Sequence, residues 1–119
     1  MTTTDEMHDH HDAARRSDRW ALPLAALSGT LVLVSNLGGI AVGDDGVGYR
    51  ATADSLLRGD GLQYFLEHPL TVWPPLWPSL MAGLAKVTPL DPVGSAIALN
   101  TAVTVAAVVL VHRLLRRVL

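Results

Sequence analysis

Two long stretches without a charged side chain, one near each end, constrain this chain more than any other feature. Residues 21–42 run roughly 22 positions without Asp, Glu, Lys or Arg, and residues 93–111 run about 19. At about 1.5 Å per residue these would be helices of roughly 33 Å and 28 Å, against a hydrocarbon core of about 30 Å. In lipid the backbone polar groups must pair within their own segment, so such a stretch crosses as a helix. Trp20 stands at the expected interface, and Pro23 falls in the first turn, where a missing N–H matters least. The competing reading of the first stretch is a secretory signal peptide. Its apolar run exceeds the about 7–15 residues of a signal core, and only a loose small-residue cleavage pattern exists, at Ile40-Ala41-Val42-Gly43. The second stretch carries Gly94, Ser95, Asn100 and Thr101, a semi-polar face suited to a neighbouring helix, with Asn100 read as a helix–helix hydrogen bond.

Charge sets the expected topology. Arg15, Arg16 and Arg19 precede the first stretch, and His112, Arg113, Arg116 and Arg117 close the second. The positive-inside rule puts both ends in the cytoplasm and the middle outside. The fold expected is therefore all-α and integral to the cell membrane. Two transmembrane helices, residues 20–43 and 93–112, flank an external loop, residues 44–92. Two short juxtamembrane helices lie within that loop, at about 49–58 and 75–87. Residues 1–19 read as a disordered cytoplasmic tail and residues 113–119 as a basic cytoplasmic end.

Within the loop, Tyr49, Ala53, Leu56 and Leu57 share one helical face. Arg50, Asp54 and Arg58 step along another and can pair, with Arg58 to Asp54 as the expected ion pair. Gly59 and Gly61 are natural stops. Residues 63–72 should be extended or irregular. The proline-led segment from Pro74 opens a helix that ends before Pro89. Its 10–13 residues, about 15–20 Å, are too short to span. It reads as an interfacial helix, with Trp73, Trp77 and a snorkelling Lys86 at headgroup level. Were it to span, the closing arginines would be translocated.

The chain has 119 residues, half of them hydrophobic, with no cysteine and a formal net charge of -2. That excludes disulfides and thiolate metal sites, and nothing in it points to nucleic acid. One lysine against eight arginines suits a GC-rich bacterial genome. His8, His10 and His11 with Asp9 and Asp12 can take a transition metal weakly, as His-rich tails do.

Asp44 and Asp45 are the candidate chemistry. Paired carboxylates at a membrane surface can hold a divalent cation through hard oxygen ligands, or one can act as general base toward a hydroxyl. The plain alternative is a polar stop and helix N-cap.

The string Asp45-Gly46-Val47-Gly48-Tyr49-Arg50-Ala51, with Ser55-Leu56-Leu57-Arg58-Gly59-Asp60-Gly61, resembles the start of the first external loop of GT-C glycosyltransferases. Trp73-Pro74-Pro75-Leu76-Trp77-Pro78-Ser79-Leu80 resembles the segment that opens their second juxtamembrane helix. Asn100 and the closing Arg116-Arg117 also fall where such proteins often have Asn and a basic end. These are multi-span enzymes using polyprenyl-phosphate-linked sugars, such as protein mannosyltransferases and lipid A aminoarabinose transferases. The resemblance covers about residues 20–119. It implies that Asp45 is the base or metal ligand, with Asp44 its companion and Tyr49 among the substrate contacts; Arg58 and His68 are candidates to face the donor phosphate of such an enzyme, although neither matches a family motif. It also implies a polyprenyl-phosphate sugar as donor. The chain departs from that family in ending after a second span, so the expectation is an amino-terminal fragment or truncated form that does not catalyse alone. The alternative is a small two-span accessory protein that binds other membrane helices through Gly29, Gly38, Gly39 and Gly94.

Overall fold

The computed structural model describes residues 20–37, 43–65, 68–70 and 73–118. Among them are four helices and one small hairpin. They are α1 (Trp20–Ser35), α2 (Asp44–Arg58), α3 (Leu76–Val87) and α4 (Pro92–Val118), with β1 (Gln63–Tyr64) and β2 (His68–Pro69) between α2 and α3. The chain divides into two compact units, Asn36–Asn100 and Met1–Ser35 with Thr101–Leu119. The expected tail, residues 1–19, and its histidine cluster lie outside the described residues.

In the unit formed by Met1–Ser35 and Thr101–Leu119, α1 and the later turns of α4 approach at Gly29. A Cβ there would come within 2.9 Å of Val105 Cγ2 and 3.5 Å of Thr101 Cγ2, so only glycine permits this spacing. The hydroxyls of α1 are satisfied within the helix: Ser28 donates to the Ala25 carbonyl and Thr30 to the Ala26 carbonyl, both at 2.8 Å. Leu22, Leu24, Leu27, Leu31, Leu33 and Val34 of α1 are exposed, as are Val103, Leu110, Val111, Leu114 and Leu115 of α4. Among the described residues, α4 alone is long and apolar enough to cross a membrane; its apolar stretch is 6% buried, unlike the core helix of a soluble protein. α1 has 16 described residues, about 24 Å, and residues 38–42 of the expected first span lie outside the described ones.

In the Asn36–Asn100 unit, α2 and α3 pack through Ala53, Met81 and Ala82, with Tyr49, Leu56, Trp77, Ala96 and Leu99 around them. The face expected from Tyr49, Ala53 and Leu56 is thus the buried one, while Leu57 is exposed. Two boundaries move. α2 begins at Asp44, five residues before the expected start, although two glycines in its first turns disfavour a helix by about 1 kcal/mol each. α4 continues past His112 through Arg113, Arg116 and Arg117.

The helix ends follow local chemistry. Gly59 takes the left-handed conformation, φ 88°, and donates to the Leu56 carbonyl while Asp60 donates to that of Ser55. This double closure is the Schellman motif. α3 is 12 residues long, about 18 Å, with Pro75 and Pro78 at its start, where no intrahelical donor is lost. Asp91 caps α4: its Oδ1 accepts from Gly94 N at 2.7 Å, and Pro92 takes the first helical position. Between α2 and α3, Gln63 faces Pro69 and Tyr64 faces His68 in an antiparallel pair, a short ladder added to the otherwise helical architecture.

Candidate functional site

Asp44 and Asp45 occupy the first turn of α2, one and two residues inside its N-cap, Gly43. The cap role expected of them therefore falls to Gly43, which offers no side chain. The carboxylates instead meet the partial positive charge of the helix start.

What gives Asp45 a defined position is Trp73. Its indole Nε1 donates to Asp45 Oδ1 at 2.8 Å across 28 residues of sequence. The Trp73 ring lies on the side of Gly48 where a Cβ would stand: one built there would be 2.5 Å from Trp73 Cζ3. Tyr49 packs against the same ring at 6.2 Å between centroids, and Tyr64 of β1 meets it edge-on at 5.0 Å. The aspartate–glycine–tyrosine string of α2 and the tryptophan preceding Pro74 thus form one cluster. Trp73 was expected at headgroup level. Its position in the Trp-Pro-Pro segment was the available signal, but nothing local to that segment names Asp45 as its partner.

Beside this cluster lies a cleft of about 180 Å³ within Asn36–Asn100. Gly46, Tyr49, Arg50 and Asn100 contribute polar or small surface, and Trp77, Met81, Val93 and Ile97 apolar surface. Arg50 was read from sequence only as a partner of Asp54. It makes that contact weakly, at 3.8 Å with both side chains exposed, and also faces the cleft.

The remaining candidates are placed differently. Arg58 does not pair with Asp54; its Nε donates to Asp60 Oδ2 at 2.9 Å. The helix stops at Gly59, and the reversed chain swings Asp60 back onto Arg58, a geometry that an i, i+4 argument does not foresee. Arg58 lies about 20 Å along α2 from Asp45, so the two do not share a site. His68 is exposed on β2, opposite Tyr64.

Neighbouring helix positions point about 100° apart, so Asp44 and Asp45 do not converge on one point. Oδ1 of Asp45 accepts from Trp73, which leaves Oδ2 as its open oxygen. Among the described residues, no three His, Cys, Asp or Glu side chains gather as a metal cluster.

No family model, curated protein or solved structure matches this chain.

Proposed function

We propose that the chain is a module of a GT-C-like membrane glycosyltransferase, with α4 and the segment containing α1 as its spans. In this reading both ends are cytoplasmic and residues 44–92 lie outside. The exposed leucines and valines of α1 and α4 support the membrane placement, because soluble monomers rarely carry so much contiguous apolar surface.

The observation that carries the functional reading is the 2.8 Å bond from Trp73 to Asp45. It joins the two short segments on which the resemblance rests, and it orients a carboxylate on the Trp73 ring, against which Tyr49 of the apolar-walled cleft packs. The reaction is inverting transfer. The acceptor hydroxyl oxygen attacks the anomeric carbon, and the bond from that carbon to the donor phosphate breaks. The phosphate leaves on its lipid, and the acceptor proton passes to Asp45 as general base. Arg50 faces the phosphate charge. Trp77, Met81, Val93 and Ile97 take the first part of the lipid chain. A divalent cation enters this reading only on one carboxylate together with donor oxygens, and no step is routed through it.

The test uses membranes from cells expressing the chain from its intact locus and measures transfer of labelled sugar from a polyprenyl-phosphate donor. Asp45→Asn is expected to lower the rate by about 10²–10⁴-fold, the usual contribution of a positioned base. Full retained transfer would sink the assignment. The accessory-protein reading has less support, since Gly29 faces Val105 and Gly94 faces Asp91 of this same chain.

A further inference from the structure

The C-terminal end of α2 and the hairpin after it border a second, open cleft of about 670 Å³. Such a volume is within the roughly 300–1,000 Å³ of small-molecule sites. Asp54, Ser55, Arg58, Asp60, Gln63 and Phe65 line it. Ser55 Oγ donates to the Gly61 carbonyl at 3.0 Å, and Arg58 is bonded to Asp60, so this wall is tied together.

Phe65 is the unusual member. Its φ is 42°, in the left-handed region that bulky side chains rarely adopt. The residue is 49% exposed, and its ring is braced edge-on by Tyr64, with centroids 4.8 Å apart. Glycine or asparagine would make this turn without strain and without an exposed aromatic ring. Strain that presents a ring beside a cleft points to a use for the ring.

The lining chemistry selects the ligand. The lining carries two carboxylates and one guanidinium, with Arg50 weakly paired to Asp54 from outside it, so it has no surplus positive charge to draw a phosphate or carboxylate ligand. The set offers planar donors and acceptors side by side, suited to bidentate pairing with adjacent hydroxyls. It also offers an aromatic face, negative at its centre, that attracts polarised C–H groups. A pyranose has both complements, vicinal hydroxyls at its edges and C–H bonds on one face. We infer that this cleft binds a neutral hexopyranose unit, stacked on Phe65 and held through its hydroxyls by Asp54, Asp60 and Gln63. Its α2 residues, Asp54 to Arg58, lie about 14–20 Å along the helix from Asp45, and the site does not rest on the transfer reading.

The experiment is saturation-transfer NMR on the full chain in phospholipid nanodiscs, which avoids glycoside detergents, with millimolar cellobiose and mannobiose as probes. The expected result is transfer to the C–H protons of one face of a sugar ring. The signal falls at least fivefold in Phe65→Gly and in Asp60→Asn and persists in Phe65→Trp. Because glycine relieves the strained turn, Phe65→Gly is expected to melt no lower than the parent, which separates loss of binding from loss of fold. No transfer above empty nanodiscs for either sugar overturns the proposal. So does equal transfer to the parent and Phe65→Gly, and protection of the Phe65 ring by lipid in that case would make it a membrane contact.

Discussion

Gly48 shows how one residue links the fold to the candidate site. Its missing Cβ is the space that the Trp73 ring occupies, and the ring in that position delivers its N–H to Asp45. In Gly48→Ala the new methyl would overlap a rigid ring at 2.5 Å. That places the strain near the upper end of about 1–3 kcal/mol for overpacking, while better helix propensity returns about 1 kcal/mol. The expected outcome is a net loss of about 2 kcal/mol in thermal or denaturant unfolding. The Trp73 indole proton should also lose the downfield NMR position of a charge-assisted bond. An alanine variant as stable as the parent, with that proton unmoved, would show that the ring does not depend on Gly48.

Elements here are bounded by their ends and their closest approaches more than by propensity. α4 begins where Asp91 can accept from Gly94. Asp91→Ala is expected to lower stability by about 1 kcal/mol and Asp91→Asn by much less, because asparagine keeps an accepting oxygen. Circular-dichroism melts of the two variants decide it; equal losses would mean the cap contributes nothing. α1 and α4 meet where Gly29 has no side chain. Gly29→Leu brings carbon into space already held by Val105 Cγ2. The expected cost is about 1–3 kcal/mol, read as a lower melting temperature in nanodiscs. An unchanged melt would dissolve the α1–α4 contact.

For the whole molecule, the proposed topology makes its own prediction. Reporter fusions after Gly61 and Pro89 should signal outside, and fusions after Arg19 and Leu119 inside. An outside signal at Leu119 would require the proline-led helix α3 to span. Its 12 residues, about 18 Å, argue against that. The same outcome would remove the outer-face setting in which Asp45 could act on an exported acceptor.

Much of this architecture was legible in the sequence, because it follows from rules that act over a few residues. Uncharged runs marked α1 and α4. The prolines and Pro89 bounded α3 within a residue of its observed limits, and Gly59 marked the end of α2. The buried face of Tyr49, Ala53 and Leu56 followed from helical period. Three features were not legible, each because its cause lies across the chain or beyond a turn. The start of α2 reads locally as a glycine-rich loop, and it is a helix in which Trp73, 25 residues on, occupies the place of a Gly48 side chain. Arg58 pairs with Asp60 because the chain reverses at Gly59, whereas helical spacing alone favours Asp54. Phe65 beside the second cleft carries no sequence signal, since its left-handed backbone is set by the hairpin pairing of Tyr64 with His68. Hydrophobic length and stops are written in neighbouring residues and were determined by the sequence alone. The partner of Asp45, the partner of Arg58 and the exposure of Phe65 were decided only in the tertiary structure, where packing brings together groups that no local period relates.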